Sequence, residues 1–150
     1  MNKEKIDMKD ITILITFRGD SIERIENLMM VTEYLLQNFN TNIFVLQANS
    51  FENKILPRLL NRKIRYTFVE DRDSIFHRTK YHNQMTRNTE TPYIAIWDTD
   101  IIVPLTQVEE AIQKLRDGVD ISYPYDGSCY DTSYPIRELY WRKRRLSILK

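Results

Sequence analysis

Apolar residues fall along this chain in two alternating rhythms. Ile11–Phe17 is a short, β-branched run that is apolar on both faces, which predicts a strand covered from both sides, as in a parallel sheet. Asp20 with Glu23 three residues on forms a helix-capping pair, after which Ile22, Ile25, Leu28, Met29, Leu35 and Leu36 recur at helical spacing. Asn42–Ala48 predicts a second strand, and Phe51–Leu60 a helix that Pro57 bends or ends. Alternation of Ile64, Tyr66 and Phe68 predicts a third strand, His77–Asn88 a polar helix, and Tyr93–Trp97 a fourth strand. Thr106 and Glu109 read as a capping box for a helix with the apolar stripe Val108, Ala111, Ile112 and Leu115, closed by Gly118. Val119–Tyr123 predicts a fifth strand, Pro124–Pro135 a loop, and Ile136–Leu149 a last, strongly basic helix.

Strands that alternate with helices from end to end predict an α/β sandwich around a mostly parallel sheet. In such sheets ligands sit beyond the carboxyl ends of the strands. The positions to inspect are therefore Phe17–Gly19, Gln47–Asn49, Glu70–Asp73 and Asp98–Asp100.

Composition narrows the setting. The 150 residues suit one domain, 1–150, and 42% hydrophobic with 29% charged residues is ordinary for a globular chain. Twenty-two basic against 21 acidic residues leave a formal charge of +1, so no nucleic-acid partner is expected. Cys129 is the only cysteine, which excludes an intramolecular disulfide and fits a reducing compartment. Residues 1–10 carry charges and no apolar stretch, unlike a signal peptide. The longest apolar runs are too short to span a bilayer. The expectation is a cytoplasmic protein, with peripheral contact at the inner face of the membrane as a second reading. That contact would use Arg142, Lys143, Arg144 and Arg145 with Tyr140, Trp141 and Leu146. A helix whose apolar face packs elsewhere is the plainer reading of the same tail, and is preferred.

The chemistry concentrates on Asp98 and Asp100. In an extended stretch the two side chains point the same way, forming a hard-oxygen site for Mg²⁺ or Mn²⁺ whose shell is completed by water and substrate phosphates. Taken alone, Asp-x-Asp is a weak signal and reads more readily as a solvated turn; its place at a strand's carboxyl end, followed by Ile-Ile-Val-Pro104, favours the site. Arg18 and Arg78, taken alone, are surface cations. His77 and His82 lie five apart, a poor spacing for two ligands on one helical face, and both read as surface. Trp97 reads as core. Tyr123–Asp126 reads as a packed loop, or else as an acceptor-lining one.

Three segments together resemble the donor half of the galactosyltransferase and N-acetylgalactosaminyltransferase families and of related family-2 transferases, which have the GT-A fold. Ile15-Thr-Phe-Arg18 is similar to their Pro-Phe-Arg segment, and Phe76–Asn83 matches a Phe-x-Arg-x-Lys-x-x-Asn helix start. Trp97-Asp-Thr-Asp-Ile-Ile-Val-Pro104 is similar to their Asp-Val-Asp-Leu-Ile-Pro. The resemblance runs from about Ile11 to Asp131 and implies a Rossmann-like GT-A sandwich. Phe17 and Arg18 would lie against the uridine and ribose of a UDP-sugar, with Gln47 or Asn49 near the uracil or ribose. Arg78 would approach the diphosphate, Asp98 the ribose or the metal, and Asp100 would be the main metal ligand. The implied reaction is metal-dependent, inverting transfer of a hexose or N-acetylhexosamine to a glycan acceptor.

The families' second half contains a Gly/Trp-rich loop with an acidic pair that supplies the base, and nothing here resembles it. The expectation is therefore a fragment of a longer transferase, truncated at the C-terminus. The alternative is a non-catalytic nucleotide-sugar-binding or interaction module. A haloacid-dehalogenase-type phosphatase ranks below both, because its nucleophilic Asp-x-Asp follows the first strand, where this chain has Thr16–Gly19.

Overall fold

The protein is described from a computed structural model covering residues 4–52 and 54–149. Position 53, inside the expected helix Phe51–Leu60, lies outside the described residues. The chain divides into two units, Met1–Ile102 and Val103–Lys150.

The first unit is built on a four-stranded sheet of order β3-β2-β1-β4, with β1 Ile6–Phe17, β2 Phe39–Asn49, β3 Arg65–Glu70 and β4 Tyr93–Ile96. Every pair is parallel, so the chain is α/β, compatible with a Rossmann-like fold. β1 and β2 are longer than the apolar pattern predicted. Their ladder runs back to Ile6↔Phe39 through a register shift between Met8 and Thr12, where polar residues interrupt the alternation. β1 is buried at every position from Ile11 to Phe17, as its unbroken apolar run requires.

Helices connect the strands. α1 (Ile22–Asn38) is capped by Ser21, whose Oγ accepts the Arg24 N–H at 3.2 Å. Asp20, expected as part of the cap, instead pairs with the Arg24 side chain. The helix expected over Phe51–Leu60 shrinks to α2 (Leu56–Leu59), which begins where Pro57 can occupy its first turn. α3 (Arg78–Arg87) lays Tyr81 and Met85 on Leu14, Phe44, Leu46 and Ala48 of the sheet. It leaves Ile94 and Ile96, on the β4 edge, exposed.

In the second unit α4 spans Leu105–Arg116. Its N-cap is Pro104 and no side chain caps it, so the expected Thr106 capping box is not formed: Thr106 already lies inside the helix. Gly118 follows the C-cap with φ 101°, a left-handed position that favours glycine. Residues 119–123 are not a strand; Val119, Ile121 and Tyr123 are exposed and have no ladder partner. Tyr123 and Tyr125 stand 78% and 62% exposed, so the loop is not packed as expected. α5 covers Tyr134–Lys143 and stops at Arg144 in the left-handed region, ahead of a short 3₁₀ turn at Leu146–Ile148. The expected helix to Leu149 is thus broken in two. Among the described residues no helix is long and apolar enough to cross a membrane.

Candidate functional site

The strand order places a topological switch between β1 and β4: the chain moves from β1 to β2 and β3 on one side, then returns to pair β4 on the other. Crevices open at the carboxyl ends beside such a switch. Arg18 follows β1, Asp98 and Asp100 follow β4, and Arg78 opens the helix that makes the return crossing.

β4 ends at Ile96, and one further ladder bond from Trp97 N–H to Leu14 O continues its line. The chain then turns at Thr99–Asp100. The strand-alternation argument for a common direction of Asp98 and Asp100 therefore does not apply; a turn presents them. Trp97, buried at 7% as expected of a core residue, fixes this turn by donating its indole N–H to Ile101 O at 3.0 Å.

Arg78 forms an ion pair with Asp98. The two lie 20 positions apart, on different elements, and both are partly open to solvent. Asp100 is exposed and holds no ion pair among the described residues. Two carboxylates are a hard donor set. They match what Mg²⁺ or Mn²⁺ takes from protein when phosphate oxygens and water complete the shell. No group of three or more His, Cys, Asp or Glu residues suited to a metal occurs among the described residues, so a closed all-protein cage is not what these residues build.

Arg18 is not part of that pair. Its guanidinium donates to Ser74 O at 3.0 Å and Asp73 O at 3.1 Å, and its carbon lies 5.2 Å from the centre of the Phe76 ring. It thereby clamps the segment leading from β3 into α3. Its Nε is buried without a partner. Phe17 is buried, with its ring against Gly19, where a Cβ would come within 3.0 Å of it. A side chain there would need the Phe17 ring to shift by a few tenths of an ångström.

Gln47 is 2% exposed and its amide is engaged at both ends. Its Oε1 accepts the Tyr66 hydroxyl at 2.8 Å, and its Nε2 donates to Asn49 Oδ1 at 2.9 Å. Asn49 Oδ1 also accepts the Gly19 N–H at 2.9 Å. One amide network thus ties Gly19, just beyond β1, and Gln47 and Asn49 of β2 to Tyr66, near the start of β3. Burial first, and Glu52 second, push the Tyr66 phenol up to about 12, so it stays a donor. Gln47 pairs with Phe68 in the ladder, so Tyr66 reaches it diagonally. The alternation of Ile64, Tyr66 and Phe68 signals a strand but not this register.

Three further residues were not singled out as site residues. Asp71 accepts the Tyr81 hydroxyl. Asp73 accepts His77 Nε2 at 2.8 Å and the Ile75 N–H at 3.0 Å, which hold its carboxyl below the usual range. His82, expected at the surface, is 7% exposed, with Nε2 3.3 Å from Thr16 Oγ1. Desolvation lowers its pKa first and the Arg78 charge second, with Asp98 opposing. A histidine pushed down from 6.5 is held neutral in the fold. Its contribution to stability is complete above pH 6.5 and is lost as pH falls through the folded value. His82→Gln should therefore flatten the dependence of Tm on pH between about 7.5 and 5. Parallel Tm–pH curves for variant and parent would contradict this.

A groove of about 350 Å³ lies at the opposite end of the sheet, lined by Thr12, Asn42, Lys63, Arg65, Asn88 and Glu90 among others. It shares no residue with the strand-end set. No protein-family model matches the chain, and no curated protein matches it.

Proposed function

We propose that the chain is the donor-binding part of a metal-dependent GT-A-type glycosyltransferase. Its donor is a UDP-sugar, and the transfer of a hexose or N-acetylhexosamine to a glycan hydroxyl inverts the anomeric centre. The observation that carries this reading is the meeting of Arg78 with Asp98 beside the switch between β1 and β4. These residues belong to two of the three segments that resemble such transferases. Nothing in their sequence separation requires them to touch.

On this reading Asp98 and Asp100 hold the metal, and the guanidinium fork of Arg78 binds diphosphate oxygens. A bound Mn²⁺ or Mg²⁺ supplies Lewis-acid neutralisation of the departing diphosphate. The Gln47–Asn49–Gly19 network fixes the floor on which a nucleoside would rest, and the Arg18 clamp holds the approach to Arg78. An inverting transfer also needs a carboxylate to take the acceptor proton. The remaining carboxylates at this edge are already committed: Glu70 to Arg72, Asp71 to Tyr81 and Asp73 to His77. The reading is thus of a donor site, with the base contributed from outside this edge.

A nucleotide panel tests it by thermal denaturation. With Mn²⁺ and UDP at about a hundredfold excess over Kd, Tm should rise by roughly 5–10 °C. ADP and GDP should give less, and EDTA should abolish the rise. No shift with any nucleotide would overturn the proposal.

A further inference from the structure

The carboxylate offered to the metal holds a cation. Arg78 occupies Asp98, while Asp100, two residues on, is exposed and has no ion pair among the described residues. Arg78 is also the first residue of α3, where the helix has no side-chain cap and where unsatisfied N–H groups favour anions. Two features hold the arginine in place. Its N–H donates to Phe76 O at 2.9 Å, and Phe76 lies beneath the Arg18 guanidinium. One turn along the helix is His82, buried and neutral, which adds no competing charge beneath the pair.

We propose that Arg78 is a placeholder cation that makes the site specific for a metal and a diphosphate together and poor for either alone. The inference rests on the donor-site reading above and adds a rule for how the site is filled. A divalent cation arriving alone must share Asp98 with a fixed positive charge. A diphosphate arriving alone finds the guanidinium engaged and meets two carboxylates. When both arrive, the metal takes Asp98 and the guanidinium is released onto phosphate oxygens. The metal is then shared by carboxylate and phosphate oxygens and the guanidinium faces phosphate, so each ligand removes the obstacle to the other. By linkage the effect is reciprocal: UDP tightens the metal by the same factor as the metal tightens UDP.

Arg78 is half exposed, so Arg78→Gln should fold as the parent does, with Tm checking this. Calorimetry is then run with Mn²⁺ alone, UDP alone, and UDP in saturating Mn²⁺. The variant should bind Mn²⁺ alone more tightly, by up to roughly fivefold, the upper end for a partly exposed ion pair. It should bind UDP in Mn²⁺ about 10- to 100-fold more weakly, having lost a charge-assisted bond to phosphate. The metal–UDP coupling should fall, leaving the part that direct contact between metal and phosphate supplies. Arg78→Lys, which keeps the charge, should keep weak Mn²⁺-only binding. Mn²⁺-only affinity that is unchanged or lower in Arg78→Gln, with parent UDP binding still dependent on Mn²⁺, would overturn the placeholder and leave the donor site standing. Failure of the parent to bind UDP with Mn²⁺ would overturn both.

Discussion

Replacing Asp100 by alanine should lower the affinity for UDP in Mn²⁺ on the order of a hundredfold or more, down to its value in EDTA. Loss of a group that merely supports a metal ligand costs about 10- to 100-fold, and a direct ligand costs at least as much. Asp100 is the carboxylate to replace because it is exposed and holds no ion pair among the described residues, whereas replacing Asp98 would also remove the partner of Arg78. The substitution also leaves the fold alone. The side chain is exposed on a turn, its loss creates no cavity, and the turn is fixed by the Trp97 indole bond to Ile101 O. Surface changes of this kind move stability by no more than about 0.5 kcal/mol. Calorimetry and a Tm measurement on the same sample separate the two effects. Unchanged affinity would remove the metal assignment from Asp100. A large fall in Tm would assign it a structural part that its exposure denies.

The largest expected effect on stability lies at Tyr81. Its ring is fully buried among Leu14, Phe44, Leu46, Ala48 and Met85, 5.3 Å from the centre of the Phe76 ring, and its hydroxyl donates to Asp71. Tyr81→Ala removes the ring that seats α3 on the sheet. The expected cost is about 3–5 kcal/mol, as for other large aromatic truncations in a core. Against a total of roughly 5–15 kcal/mol that is a substantial share. Tm should drop by about 10 °C or more. Tyr81→Phe keeps the ring and loses only the bond to Asp71, so it should cost about 1 kcal/mol. Urea titration of the pair resolves packing from hydrogen bonding. A loss below about 1 kcal/mol for the alanine variant would contradict the packing described for α3. Because Tyr81 shares its helix with Arg78, the alanine variant should also weaken UDP binding, whereas the phenylalanine variant should keep most of it.

The sheet was legible in the chain because burial on both faces leaves a local mark. Ile11–Phe17 and Asn42–Ala48 are runs that only a covered strand tolerates, and both became central strands. Residues 119–123 instead alternate apolar with polar positions, a pattern that also predicts a strand, and they form none. A strand is completed by a neighbouring edge, and the local pattern cannot report whether an edge is there. Helix ends were less legible for a similar reason. Ser21 and Asp20 are both competent caps, and the choice between them depends on where the chain leaves β1.

The candidate site divides along the same line. That Arg18, Asp98 and Asp100 follow strand ends, that Gln47 lies near the end of β2 and that Arg78 opens the helix after β3 follows from the order of elements. What each side chain touches does not. Arg18 is taken by carbonyls at Asp73 and Ser74, more than fifty residues on, and Gln47 by a tyrosine of the next strand. On helical spacing alone His82 reads as a surface residue. Its burial is set by Thr16, 66 positions away. Such contacts are fixed by register and crossover, which one sequence expresses only through the folded chain.

Calorimetric titration of UDP into the purified chain, with Mn²⁺ and then with EDTA, tests the donor site most directly. Saturable binding that needs the metal is the predicted result. Absence of binding under both conditions would contradict it, and would leave the strand-end residues as the joinery of an α/β scaffold.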